Sequence, residues 1–360
     1  MSAPLLPHSV PELVEAVRSA PRVLAVGAQT KPRLGAVEAA RISTAALKGI
    51  LEYEPSEFTF TALAGTPVRE LAAALAERGQ YLPFDPLFLD AGATLGGTVA
   101  AGLSGPGRFR FGGVRDFILG VRFIDGAGRL LRMGGKVVKN AAGFDLPKFF
   151  VGSLGRFGVL AEITFKVFPR PASQLTLRLK TDGVENSARM LMDAASTRWE
   201  ADALDLPPEG KGLLLRLAGP AAALEQLSSE VLGRWPGTRL TETEAEASWS
   251  GLRELRWAHA EGPLVKVALT PVALPLLDRV LAALEGTRVH VSAGGNVAFV
   301  SLASGSASTA LDERLRGLGL SGVGLRGPGP LWYGEKARPK IALAVKQALD
   351  AEGRFPALDE

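Results

Sequence analysis

Cysteine is absent from this sequence, and histidine and tyrosine occur only three times each among 360 residues. The lack of cysteine excludes disulfide bonds, thiol catalysis, iron–sulfur ligation and zinc sites built on thiolates. A redox role for this chain would therefore require a bound cofactor.

Long hydrophobic runs are also missing. No apolar run reaches the roughly 18 residues that a membrane-spanning helix needs, and the start, MSAPLLPHSVPEL, lacks the residue order of a signal peptide. The net charge is +4, but lysine and arginine are dispersed and not interleaved with aromatic residues. We therefore expect a cytoplasmic protein with no membrane span and no nucleic-acid partner.

The length predicts two domains, because one hydrophobic core rarely grows beyond roughly 250 to 300 residues. Mixed strands and helices run through the first half, and Pro169 and Pro171 mark the boundary. We expect a first domain over residues 1–172 and an α+β cap domain for substrate or partner over 173–330. The segment 331–360, with a helix over Lys336–Asp350, is expected to return to the first domain.

Glycine is plentiful and falls in three clusters, at residues 27–35, 92–107 and 134–158. Backbone N–H groups can reach phosphate oxygens most closely where no Cβ intervenes, so the clusters favour an extended nucleotide cofactor. The first strand is followed by GAQTKPRLG, which is not GxGxxG, and GxxxxGK[ST] is absent from the sequence. Rossmann and P-loop folds are thus excluded, although each cluster alone could be ordinary turns.

Two stretches, ATLGGTVAAGLSGPGRFRFGG and GGKVVKNAAGFDLPKFFVGSLGRFGVLAEITF, carry a family resemblance. They resemble the FAD-binding domain of the vanillyl-alcohol oxidase and p-cresol methylhydroxylase superfamily, and within it the FAD-binding subunits of bacterial glycolate oxidase. The resemblance covers residues 20–172. It implies a two-lobed α+β FAD-binding domain of the p-cresol methylhydroxylase type with an α+β cap domain.

The resemblance also implies which residues bind FAD. Two loops match those that hold the pyrophosphate, one turn matches the adenine end, one segment matches KNxAGYD, and one serine lies near the flavin. The loops are Gly27, Ala28, Gln29, Thr30 and Lys31, and Gly92, Ala93, Thr94, Leu95, Gly96 and Gly97; the turn is Gly155, Gly158 and Val159; the segment is Asn140, Gly143 and Asp145; the serine is Ser104. Lys31 either adds charge or is solvated. With no cysteine and no histidine in these loops, FAD is expected to be noncovalent.

The second half departs from the family pattern. Relatives that oxidise D-2-hydroxy acids carry HxGDGNxH and a later GEHG, whose histidines serve a divalent metal and the proton transfer. The matching stretches here are VSAGGNVA and GEKA, so Val291, Ala298 and Lys336 occupy the histidine positions. Asn296 and Glu335 remain, but we expect no metal site.

The resemblance implies an FAD-binding subunit of a D-2-hydroxy acid dehydrogenase complex acting on CH–OH donors such as glycolate. It further implies electron relay, a paralogous catalytic flavoprotein subunit, an iron–sulfur subunit, and an inner-membrane association through those partners. Two alternatives stay open: a stand-alone FAD-dependent alcohol or hydroxy-acid oxidoreductase with His290 as base, and a non-catalytic scaffold subunit. No catalytic residue is assigned, because a single histidine on a predicted strand, such as His290, is more often a packed or surface residue than a base.

Overall fold

The computed structural model describes residues 3–135, 145–208, 210, 212–336 and 340–360. The chain divides into two compact units. Unit 1 comprises Met1–Ser104, Gly113–Arg170 and Ala337–Glu360, and unit 2 comprises Gly105–Gly112 and Pro171–Lys336. Both units mix helices and sheets, so the fold class is α+β, as the sequence predicts.

The described residues of unit 1 form three sheets. β1 pairs with β2 in parallel, β5 pairs with β9, and a five-stranded antiparallel sheet has the order β3-β4-β8-β6-β7. The strands are β1 (Val23–Val26), β2 (Ala40–Ser43), β3 (Ile50–Glu54), β4 (Thr59–Leu63), β5 (Gln80–Tyr81), β6 (Ile118–Ile124), β7 (Leu130–Gly134), β8 (Val159–Lys166) and β9 (Phe168–Pro169). The helices are α1 (Val10–Arg18), α2 (Val68–Ala76) and α3 (Leu95–Ala101), with short 3-10 segments at Pro32–Gly35, Pro55–Glu57, Val114–Asp116 and Leu146–Phe150.

The central strand of this larger sheet is β8, whose sequence VLAEITFK is almost continuously apolar and almost continuously buried. Such a run is expected where both faces of a strand are covered. β6 and β7 form an antiparallel hairpin around the turn IDGAG. Helix α1 begins after Ser9, whose side chain accepts a hydrogen bond from the Glu12 amide, and buries Leu13 and Val17.

The described residues of unit 2 form two antiparallel sheets, with the orders β11-β12-β10-β13 and β15-β16-β14-β17-β18. The helices are α4 (Arg108–Phe111), α5 (Gly183–Ala195), α6 (Ala221–Arg234), α7 (Glu242–Arg253), α8 (Leu274–Leu281) and α9 (Ser308–Gly317), with 3-10 segments at Pro271–Ala273, Ala293–Gly295 and Gly305–Ala307. The strands are β10 (Ser173–Leu179), β11 (Ala203–Asp205), β12 (Leu213–Gly219), β13 (Gly237–Arg239), β14 (Leu264–Ala268), β15 (Arg288–Ser292), β16 (Val297–Ser301), β17 (Ser321–Arg326) and β18 (Trp332–Gly334).

The C-terminal helix α10 (Lys340–Leu349) belongs to unit 1. The Lys346 ammonium donates to the main-chain oxygens of Arg156, at 2.8 Å, and Phe355, at 3.0 Å. The Phe355 ring is buried in one hydrophobic cluster with Leu13 and Val17 of α1. The last residues of the chain therefore form part of the core of unit 1.

Candidate cofactor site

A cleft in unit 1 lies between the loop after β1, the start of α3 and the turn before β8. It encloses about 880 Å³ of empty space, counted out to its open mouth. The cleft is lined by Leu24, Ala25, Val26, Gly27, Ala28, Gln29, Thr30, Lys31, Pro32, Leu34, Gly35, Thr44, Ala64, Thr94, Gly96, Gly97, Ala100, Ala101, Ser153, Leu154, Gly155, Gly158 and Leu160.

Glycines let the walls of the cleft approach each other closely. A Cβ on Gly27 would lie 2.4 Å from Oγ1 of Thr94, and a Cβ on Gly96 would lie 2.9 Å from the Cβ of Ala64. Both distances are shorter than real Cβ contacts allow. Gly27 and Gly96 are therefore required by contacts within the protein itself, in addition to any contact with a ligand.

The amides at the start of α3 already have protein acceptors. The Leu95 N–H donates to the Thr66 carbonyl at 2.9 Å, and the Gly96 N–H donates to the Ala64 carbonyl at 2.7 Å. The Gly97 N–H donates to Oγ1 of Thr94 at 3.2 Å. These bonds fix the first turn of α3 as a rigid wall of the cleft.

Lys31 supplies the charge of the cleft, since it is the one charged side chain among the described lining residues. It is half-buried; its ammonium donates to Oγ1 of Thr30 at 2.8 Å and lies 5.3 Å from the centre of the Phe88 ring. Desolvation by burial lowers the pKa of Lys31 to about 8. An anion in the cleft would offset this desolvation and favour the charged form.

Two lining residues other than glycine have left-handed backbone conformations. The φ angle is +52° at both Gln29 and Leu154. Such conformations cost a non-glycine residue of order 1–3 kcal/mol and are concentrated at functional sites. Local strain on two facing walls is consistent with a preformed binding cleft.

In unit 2, the predicted candidate base His290 is buried. Its Nε2 lies 2.7 Å from Oδ2 of Asp205, and its ring stacks on Phe299 and meets the edge of Trp257. Its Nδ1 is buried and has no hydrogen-bond partner within the described chain. His290 is thus held as a packed side chain.

Val291 and Ala298 lie opposite each other in the β15–β16 pair. Both are fully buried and belong to the main hydrophobic cluster of unit 2. Asn296 donates from its side chain to the Ala293 carbonyl at 2.8 Å, and Glu335 and Lys336 are exposed. Among the described residues, acidic and histidine side chains nowhere gather in threes as a metal site would require.

Comparison with known proteins indicates which cofactor this chain binds. Residues 2–134 match the family of FAD binding domains. The match supports FAD as the cofactor, as the resemblance of the sequence implies.

Among curated relatives, the chain is 40% identical to the glycolate oxidase subunit GlcE of Escherichia coli (strain K12) over 238 residues. It is 29% identical to the glycolate oxidase subunit GlcD of Bacillus subtilis (strain 168) over 149 residues. These matches cover 64% and 41% of this chain, and they span 63% and 32% of the respective relatives. The chain thus spans less than two thirds of the length of either relative.

Two solved structures of alkyldihydroxyacetonephosphate synthase show the same fold. They superpose with TM-scores of 0.69 and 0.70, at 15% and 14% sequence identity. The superpositions cover 97% and 99% of this chain and 74% and 76% of the synthase chains. The predicted p-cresol methylhydroxylase type of fold is confirmed.

The structure brings part of the predicted FAD-binding set together in the cleft. The predicted residues that line it are Gly27, Ala28, Gln29, Thr30, Lys31, Thr94, Gly96, Gly97, Gly155 and Gly158. Those outside its lining are Gly92, Ala93, Leu95, Ser104, Asp145 and Val159. Ser104 is buried and accepts from the Val114 amide at 3.0 Å, and Asp145 pairs with Lys148 at 2.8 Å. Asn140 and Gly143 lie outside the described residues.

Several residues that line the cleft could not be predicted from sequence patterns. Leu24, Ala25 and Val26 were expected as strand, and Thr44 follows another strand. Leu34 and Leu154 are single apolar residues next to glycine, a common pattern in any turn. The left-handed φ angle of Leu154 is the one local feature that marks it, and a sequence does not display it.

Proposed function

We propose that this chain is the FAD-binding subunit of a heteromeric glycolate oxidase, and that it relays electrons between subunits. The FAD binding domain and the 40% identity to GlcE support the assignment. The observation that carries the relay role is the chemistry of the cleft. Its described lining includes no carboxylate and no imidazole, so it offers no acid or base for the proton of a substrate hydroxyl.

The residues of the cleft suit an unmodified FAD. Backbone and small side chains from Gly27–Lys31 and Gly155–Gly158 would surround the dinucleotide, and Lys31 would neutralise part of its diphosphate. Covalent attachment would need a nucleophilic side chain, whereas the described lining contains no histidine or tyrosine and the sequence contains no cysteine. Bound there, FAD supplies the capacity to accept and pass on electrons.

The second unit supports the view that substrate chemistry occurs elsewhere. The positions that relatives give to metal-binding histidines are held here by Val291 and Ala298, which are core residues. His290 is hydrogen-bonded to Asp205, and only 1% of its surface is exposed. We propose that a paralogous flavoprotein subunit removes the proton of the hydroxy acid, and that an iron–sulfur subunit takes up the electrons. Residues 173–330 would then provide a cap and a partner surface.

Two other functions make different predictions. A stand-alone oxidoreductase would need His290 to reach the substrate. A scaffold that had lost its flavin would be colourless.

Across the part of the chain that the structure describes, no helix combines the length and apolarity required to span a bilayer. A peripheral place at the inner membrane would therefore depend on the partner subunits.

The test is the visible spectrum of the purified chain, reconstituted with FAD, before and after anaerobic addition of glycolate. The relay role predicts a yellow protein that glycolate alone does not bleach, and that bleaches once the paralogous flavoprotein and iron–sulfur subunits are added. Bleaching of the isolated chain would contradict the relay role. A His290→Gln variant then decides whether that residue is the base.

A further inference from the structure

Arg156 is the largest fully buried side chain of the described residues, with 1% of its surface exposed. It directly follows Leu154 and Gly155, which line the cleft, but it is not itself part of the lining. Burial lowers its pKa to about 10, so the guanidinium is still charged at neutral pH. A buried charge of this kind is costly and is retained where its hydrogen bonds are needed.

The guanidinium connects the two facing walls of the cleft. Its Nη1 donates to the Leu34 carbonyl at 3.1 Å and also to the Leu154 carbonyl. Leu34 lies in the short 3-10 segment Pro32–Gly35 that immediately follows Lys31. The same nitrogen therefore contacts the wall that carries Lys31 and the strained turn that carries Leu154.

The other end of the guanidinium is anchored to the C-terminal segment. Its Nη2 donates to the main-chain oxygen of Glu360, and the Glu360 side chain pairs with Arg22. The Arg156 carbonyl in turn accepts from the Lys346 ammonium at 2.8 Å. These contacts give the planar guanidinium a fixed orientation, which a flexible ammonium group would not share.

We propose that Arg156 is a positioning residue for FAD. Without touching the cofactor, it holds the Lys31–Gly35 wall and the Ser153–Gly155 turn at one fixed separation. The binding of FAD then costs little conformational entropy in these two walls. This inference rests on the proposed binding of FAD in the cleft. It assigns to Arg156 a role in cofactor affinity that differs from a general role in stability.

The experiment measures the FAD dissociation constant of the full chain by quenching of flavin fluorescence, with far-UV circular dichroism as the check on folding. The variants are Arg156→Ala and Arg156→Lys. Arg22→Gln is the matched control, because it removes a guanidinium that contacts Glu360 but no residue of the cleft lining. Each variant is titrated with and without millimolar ethylguanidinium, and ethylammonium serves as the control cation.

We expect Arg156→Ala to raise the FAD dissociation constant at least tenfold and Arg22→Gln to change it less than twofold. Ethylguanidinium should restore part of the affinity of Arg156→Ala, whereas ethylammonium should not, since only a guanidinium has two nitrogens that can reach the two walls and the Glu360 main-chain oxygen together. Folded Arg156→Ala that binds FAD within twofold of the unsubstituted chain would overturn the proposal. Failure of both Arg156 variants to fold would also overturn it, since the role would then be global stability. If the unsubstituted chain does not bind FAD, the proposed function itself fails.

Discussion

Nε2 of His290 lies 2.7 Å from Oδ2 of Asp205, and both side chains are almost completely shielded from solvent. The other carboxylate oxygen of Asp205 accepts from the Ala293 amide at 3.0 Å. In the tautomer in which Nε2 donates to Asp205, that nitrogen is not available as a base. The pair links β11 to β15 and to the turn after it.

Replacement of Asp205 should therefore destabilise unit 2 while leaving FAD affinity unchanged. Asp205→Ala leaves Nε2 of His290 and the Ala293 amide buried without an acceptor, at a cost of about 1–3 kcal/mol for each group. We expect the free energy of unfolding in urea to fall by about 3 kcal/mol. Asp193→Ala is the control, because it removes an exposed partner of Arg234. This variant should change the free energy of unfolding by less than about 0.5 kcal/mol. An unchanged stability for Asp205→Ala would contradict the structural role of the pair.

Gly27→Ala should weaken FAD binding through a steric conflict inside the protein. The new Cβ would meet Oγ1 of Thr94 at 2.4 Å, so the loop after β1 has to move away from α3. We expect a loss of stability of about 1–3 kcal/mol and at least a tenfold rise in the FAD dissociation constant. Thermal unfolding and a flavin fluorescence titration measure the two effects.

The conflict at Gly27 has an internal test, because a second substitution can remove it. Thr94→Ala alone loses a helix cap worth about 1 kcal/mol, but it also deletes the clashing oxygen. The double variant Gly27→Ala/Thr94→Ala should be more stable than the sum of the single effects predicts. Gly233→Ala, in a helix with open space around the new Cβ, should not destabilise the chain. Strict additivity of Gly27→Ala and Thr94→Ala would contradict the predicted contact.

FAD affinity should depend on pH through Lys31. The charged ammonium attracts the diphosphate, and the pKa of Lys31 is lowered to about 8 by burial. Bound FAD raises the pKa of Lys31. The affinity for FAD is therefore constant below pH 8, and it falls about tenfold per pH unit between pH 8 and the raised pKa of the complex. Titrations from pH 6.5 to 9.5 check this sign. Lys31→Met should bind FAD more weakly at pH 7 and lose this pH dependence, whereas Lys31→Arg should retain affinity at pH 9. A wild-type affinity that rises above pH 8 would contradict the role of Lys31.

Asp350 should be essential for the attachment of the C-terminal segment. Its buried carboxylate pairs with Lys346 and accepts from the amides of Arg354, at 2.8 Å, and Phe355, at 2.9 Å. Asp350→Ala leaves a partly buried ammonium and two amides without this acceptor, so we expect the free energy of unfolding to fall by about 3 kcal/mol. Glu352→Ala removes an exposed carboxylate near Arg354 and should have little effect in the same urea titration. Equal stability of the two variants would contradict this attachment.

Local patterns in the sequence were sufficient for the class of fold. The apolar run of β8 and the Ser9 cap of α1 act on neighbours in the chain, so their effect can be predicted without a structure. The glycine clusters indicated an extended nucleotide cofactor, and the resemblance of the stretches around them implied FAD, which the match of residues 2–134 to FAD binding domains supports. Residue types absent from the sequence also excluded thiol chemistry from the start.

The tertiary structure decided which residues contact one another. Gly27 meets Thr94, His290 meets Asp205, and Arg156 meets Leu34, although each pair is far apart along the chain. Such contacts depend on which strands pair and how loops pack, and neither is encoded in local periodicity. The sequence by itself therefore indicated an extended nucleotide cofactor and, through its resemblance, FAD, whereas only the folded chain determined that some glycines serve the protein's own packing and that His290 is buried against Asp205.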